Sequence, residues 1–234
     1  MSIFTSYDNK GATSPKDSLG GYEPLASDIY EAEIKAAYVT TSRSGAAAIN
    51  LVLDIAGREY HETIYFTNSK GETFFLSKQS GEKISLPGYT TFNDLCLCAV
   101  GKEVNQLESE NRTFKIYDVE AKKVLPKEVP TAVELIGKKV AVGILHEIVD
   151  KTAKNDDGAY VPTGETREQN VIDKVFDLKS HKTVNEAREN ATEATFYDLW
   201  LDKNKDQIRK RVKGKAGATE AKAEPKKATK PLFS

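Results

Sequence analysis

Alternation of apolar and polar positions dominates residues 28–75. Over residues 29–39, Tyr30, Ala32, Ile34, Ala36 and Tyr38 share one side. Over residues 46–55, Ala47, Ile49, Leu51, Leu53 and Ile55 do the same, and over 58–67 the set is Tyr60, Ile64 and Phe66. A period of two predicts half-buried strands. The intervening turns are Thr41-Ser42-Arg43-Ser44-Gly45, Ala56-Gly57 and Asn68-Ser69-Lys70-Gly71, where glycine supplies the backbone angles of tight turns. The prediction is a three-stranded antiparallel meander with one face in the core and an opposite face that mixes aromatics with charge.

Beyond the meander, residues 73–76 and 83–86 predict a further hairpin, and Pro87-Gly88 then breaks the chain. Residues 90–100 read as a helix capped by Thr90 or Thr91, with Phe92, Leu95, Cys96 and Ala99 on one face and Gly101 at its end. A strand is expected over 113–119, followed by a connection bracketed by Pro126 and Pro130. Two later strands are expected, over 140–149 with a bend or close backbone approach at Gly143, and over 171–178. The 21 residues 150–170 between them form a long connection of the kind that is either functional or disordered. Thr183-Val184-Asn185-Glu186 has the form of a capping box, and Thr195-Phe196-Tyr197-Asp198 marks a second helix start running toward Arg209-Lys210-Arg211.

Charge divides the chain. Of its 34 basic and 35 acidic residues, nine basic and two acidic ones fall in 209–234, so that segment carries +7 and the rest −8. The expected organisation is an N-terminal arm over 1–27, a domain over 28–208 and a basic disordered tail over 209–234 with Leu232 and Phe233 near its tip. A length of 234 residues with 39% hydrophobic and 29% charged content suits a soluble globular protein, and neither a membrane span nor a signal peptide is legible. A cytoplasmic location is the expectation. Cys96 and Cys98 lack zinc spacing and read as small buried hydrophobes.

No catalytic constellation assembles. His61, His146 and His181 each stand alone, no phosphate-binding Gly-rich loop is present, and Asp156-Asp157-Gly158 lacks the spacing of a calcium loop. Neither an enzyme nor a cofactor is expected. A binding surface suits the residues better. Tyr60, Tyr65, Phe74 and Phe75 are interleaved with Arg58, Lys70 and Lys78. Single-stranded nucleic acid is held by that pairing, with aromatic faces on the bases and cations on the phosphates. Three meandering strands, a helix and two more strands joined by a long loop is the element order of an OB-fold barrel, which binds oligonucleotides on its second and third strands and on two flanking loops. Those loops correspond to the Arg43 turn and to 150–170, with Lys151, Lys154, Tyr160 and Arg167. The fold class expected is therefore mainly β with peripheral helices, an OB-like antiparallel barrel elaborated by an insertion over 102–135.

Several stretches carry a family resemblance. They are Asn50-Leu51-Val52-Leu53, Gly57-Arg58-Glu59-Tyr60, Glu62-Thr63-Ile64-Tyr65, Asn68-Ser69-Lys70-Gly71-Glu72, Leu135-Ile136-Gly137-Lys138, residues 160–167 and residues 170–176. In these the chain resembles bacteriophage-encoded single-stranded DNA-binding proteins over roughly residues 28–213. The resemblance implies an OB-type fold that coats single strands during phage DNA replication or recombination. The basic tail departs from the acidic tail of many such proteins. Arg209, Lys210, Arg211 and Lys213 are expected to add phosphate contacts, and Leu232 and Phe233 to dock a replication protein. An oligomer is compatible with this reading, and a membrane is not a partner in it. The alternative is a non-enzymatic protein-interaction module of the same machinery, in which the sheet aromatics only fill the core. A nuclease would need clustered carboxylates and a metal.

Overall fold

The computed structural model describes residues 23–118, 121–155 and 160–213. Alternation does produce the meander: β1 (Asp28–Thr41), β2 (Ala47–Ile55) and β3 (Arg58–Tyr65) pair antiparallel in sequence order. One detail of the pattern fails in β1. A bulge between Ile34 and Ala36 shifts the register, so Ala32 and Ile34 face inward before it and Ala37 after it. The extra residue reverses the alternation and turns Tyr38 outward.

β4 (Phe74–Leu76) and β5 (Lys83–Ser85) form a separate two-stranded ribbon. Pro87-Gly88 does not break the chain but begins α1 (Pro87–Val100). Proline suits the first helical turn, where its missing N–H has no partner to lose. Gly88 is required by close packing, since a β-carbon there would lie 2.0 Å from the carbonyl oxygen of Tyr65. Neither expected threonine caps the helix; Leu86 occupies the cap without a side-chain hydrogen bond. Phe92, Leu95 and Cys96 enter the core from α1, beside Leu51, Leu53 and Ile144 from the sheet.

The insertion is a second ribbon, β6 (Glu110–Asp118) with β7 (Lys123–Thr131). Pro126 and Pro130 lie within β7 rather than bracketing a connection. They are tolerated because β7 is bonded to β6 along one side and meets β1 on the other at a single bridge, Tyr38 to Thr131. Phe114 of β6 stacks on Tyr38, with ring centroids 4.4 Å apart.

β8 (Lys139–Lys154) and β9 (Tyr160–Phe176) are both longer than the sequence suggests. The expected loop over 150–170 is mostly ladder, paired from Ala141–Phe176 out to Lys154–Tyr160. On the opposite edge of β8, two strands follow one another. Residues 28–33 of β1 pair with 139–144, and β10 (Ile208–Arg211) then pairs in parallel with 146–149. Ser27 joins the two. Its hydroxyl accepts the His146 N–H at 2.8 Å and donates to the Gln207 carbonyl, while its own carbonyl takes the Asp206 N–H at 2.8 Å. Ser27 is buried, so Ser27→Ala should leave ladder groups unpaired and cost about 1–3 kcal/mol in denaturant melts. A melt within about 0.5 kcal/mol of the parent would show that water satisfies them instead.

The sheet is mainly antiparallel, and the chain is β-rich with few helices, as expected. The barrel is not closed, because β3 and β9 end the path β3–β2–β1–β8–β9 without a backbone ladder between them. α1 packs against both edge strands. The gap is bridged by a side chain: Glu62 of β3 accepts the Ile172 N–H of β9 at 3.2 Å and the Tyr60 hydroxyl on the same oxygen. Burial pushes the Glu62 carboxyl up to about 7, with the charge of Glu147 adding to it and the two hydrogen bonds opposing it.

Two short helices follow: α2 (Val184–Arg188) lies against α1, and α3 (Thr195–Asn204) covers the outer face of β8 and β9. The Thr183 capping box opens α2 as expected, the side chains of Thr183 and Glu186 each bonding to the other's backbone N–H. Trp200 of α3 builds a second small core with Ala141, Leu145 and Phe176. Gly143 permits it, since a β-carbon would meet the indole at 3.0 Å. Among the described residues no helix is long and apolar enough to cross a membrane.

Candidate nucleic-acid interface

The outer face of β8 and β9 changes character along its length. Under α3 it is apolar. One turn of the alternation further on it carries Glu147, then Val149, and beyond these it opens. The register shifts between Asp150 and Thr152, where β8 advances by two residues and β9 by four, and Thr152 joins Val149 in lining the space beyond. Their partners on β9 are Gln169 opposite Glu147, Arg167 opposite Val149, Pro162 opposite Thr152 and Tyr160 opposite Lys154. β10 supplies the third strand, with Arg209 opposite Glu147 and Arg211 opposite Val149. One row across the three strands therefore reads Arg167, Val149, Arg211.

The result is a groove of about 710 Å³ whose lining includes Tyr160, Pro162, Arg167, Arg211, Val212 and Lys213. Its floor is apolar through Val149 and Pro162. Three cations stand around it against one carboxylate, Asp150, which accepts the backbone N–H of Lys213 at 2.7 Å and so pins the chain at the lip. Tyr160 is 69% exposed, with the Lys154 ammonium 5.4 Å from its ring centroid. An exposed ring, an apolar floor and flanking cations can stack a base and hold phosphates at once.

Four of the residues expected to contact nucleic acid, Tyr160, Arg167, Arg211 and Lys213, thus converge, with Lys154 beside them. Lys151 stands on the same ribbon but is paired with Glu165 at 3.0 Å. The others do not join the groove. Arg43 lies in the β1–β2 turn, Lys70 in the turn after β3 and Lys78 in the β4–β5 turn, all exposed. Arg58 donates to the Glu23 carbonyl, Phe74 lies under the Lys83 ammonium at 4.3 Å, and Phe75 is exposed on the separate ribbon. Tyr65 is 53% exposed on the outer face of β3.

Three expectations are corrected. Tyr60 offers no stacking face, because it is 8% exposed within the main core and its hydroxyl is bonded to Glu62. Arg209 is not a tail cation. It is held by the Glu147 carboxylate and lies 3.4 Å from Asp173. Residues 209–211 form β10, so the boundary at 209 falls inside the folded body, with Lys210 on the face of β10 opposite Arg209 and Arg211. Residues 214–234, including Leu232 and Phe233, and residues 1–22 of the arm lie outside the described residues.

Sequence reasoning missed Glu147 altogether. The signal was present, since Glu147 falls in phase with Gly143 and Leu145 inside an apolar run, and a buried acid requires a cationic partner. No protein-family model matches the chain, and a search of curated proteins finds no match either.

Proposed function

We propose that the protein binds single-stranded DNA with little sequence preference and protects it during phage DNA replication or recombination, in the host cytoplasm. The observation that carries this reading is the convergence of Tyr160, Arg167, Arg211 and Lys213 on one apolar-floored groove. Stacking and phosphate contacts ignore base identity, so a site built from them discriminates by strand state rather than by sequence. The family resemblance in the sequence supports the replicative setting.

The test is fluorescence anisotropy with labelled oligo-dT, competed by a duplex of equal length, over a range of salt. Preference for the single strand is expected. Tyr160→Ala should weaken binding roughly 5- to 150-fold, the equivalent of ~1–3 kcal/mol per stacked base. Arg167→Gln should lower the slope of log affinity against log salt by about 0.7. Equal affinity for duplex would sink the reading, and indifference to both substitutions would remove the groove from it.

A second reading, a protein-docking module, has one observation in its favour. Phe75, Leu76 and Ile84 are exposed on the separate β4–β5 ribbon, with Phe75 and Ile84 directly paired. It would stand if oligo-dT failed to bind.

A further inference from the structure

We infer that Glu147 is a positioning residue for the groove: its buried carboxylate holds β10 against β8 and so sets Arg211 and Lys213 beside Arg167. The inference rests on reading the groove as a single-strand site.

Glu147 is fully buried. One of its oxygens accepts from Arg209 Nε at 2.6 Å and is in ion-pair contact with Arg209 Nη2. The other accepts from Gln169 Nε2 at 3.3 Å and lies 3.5 Å from Arg211 Nη1. A single carboxylate on β8 thereby reaches β9 through Gln169 and β10 through two arginines. β10 needs such a tie. It has four residues, all exposed, and is bonded along one side only.

Stability alone does not account for an acid in this place. A buried ion pair is often no more stabilising than well-packed apolar residues of the same volume. What a leucine at 147 would not do is fix the direction of a guanidinium. Arg211 stands in register with Val149, whose neighbour on the other side is Arg167. The pull of Glu147 limits the rotamers of Arg211 before any ligand arrives, which reduces the ordering cost of binding. Lys213 follows two residues later, its N–H already on Asp150. Release of β10 would remove one wall of the groove together with two of its three cations.

Glu147→Gln in the full chain tests this with the same oligo-dT titrations, alongside thermal melting and hydrogen exchange. Two single-strand phosphate contacts at about 0.7 each set the expected fall in salt slope at about 1.4, and affinity at low salt should drop on the order of tenfold. Amides of β10 should exchange faster. A residue serving only as a strut would lower the melting temperature and leave the salt slope of the folded protein unchanged. An unchanged or steeper slope in the folded variant therefore overturns the inference. Should Glu147→Gln fail to fold, combining it with Arg209→Gln removes both charges and leaves none buried alone. The expected loss of slope is the same, and its absence is again decisive. Arg167→Gln in parallel separates the two ideas. If it has no effect, the groove itself is misread. If it weakens binding while the Glu147 variants do not, only the positioning role falls.

Discussion

Trp200→Ala should destabilise the protein by about 3–5 kcal/mol, the usual cost of truncating a large buried aromatic. Trp200 is the centre of the smaller core, packed over Gly143 and beside Phe176. Two losses add together. The cavity lies between α3 and the sheet, where a glycine already leaves no side chain to relax into the space. The indole N–H also stops donating to Asp173, a bond of 2.8 Å. Asp173 then answers to Arg209 alone, across 3.4 Å. Damage should reach β10 through that contact before it reaches the meander, which belongs to the larger core. Denaturant melts give the magnitude, and hydrogen exchange gives the order. Trp200→Phe keeps most of the ring and loses only the donor, so its cost should be smaller. If the alanine variant melts within about 1 kcal/mol of the parent, the smaller core is not the support described.

Glu62→Gln should stabilise the protein at alkaline pH. The folded-state carboxyl titrates at about 7 against an ordinary 4.5, chiefly because of burial. Between those two values the folded state holds a proton that the unfolded chain has released. Stability therefore falls as pH rises through that window and is level above it. A shift of that size corresponds to on the order of 3 kcal/mol. Glutamine retains a carbonyl oxygen for the Ile172 N–H and the Tyr60 hydroxyl and never ionises. The variant should exceed the parent by up to about 3 kcal/mol at pH near 8 and by little at pH near 4.5. The difference between the two proteins isolates this one group from every other carboxylate. A difference that stays constant with pH would show that Glu62 does not titrate with folding.

The meander was legible because each strand sets an apolar face against a solvated one. The same rule hid the outer half of β8 and β9. There neither face is core, so Lys151, Thr152, Ala153 and Lys154 offer no alternation to read, and the ladder looks like a loop. β7 was hidden by its prolines, which argue against a strand unless its edge is known to be free. β10 was hidden because Ile208-Arg209-Lys210-Arg211 reads as the cationic end of a helix. In the groove, chemistry was easier to see than position. Tyr160, Arg167, Arg211 and Lys213 read as contacts from the sequence, but Arg211 lies 44 positions beyond Arg167, and the pairing of β10 with β8 brings the two together. Tyr60 shows the converse. Its phase with Ile64 and Phe66 already placed it inside, and its aromatic ring suggested a role that its side of the strand denies.

The hydroxyl of Ser27 reaches the carbonyl of Gln207 across 180 residues of sequence. The two strands that share the edge of β8 are thus separated by nearly the whole span of the described residues, and β10 is the last of the described strands to be synthesised. During synthesis the meander, α1 and the β8–β9 ladder can assemble while residues 146–149 still present an open strand edge. That edge can pair with another nascent chain as readily as with its own missing strand. A polypeptide halted before residue 208 would keep most of its core, lack one wall of the groove and carry a template for aggregation. Completion of the groove and removal of this open edge are then one event, timed by the synthesis of β10.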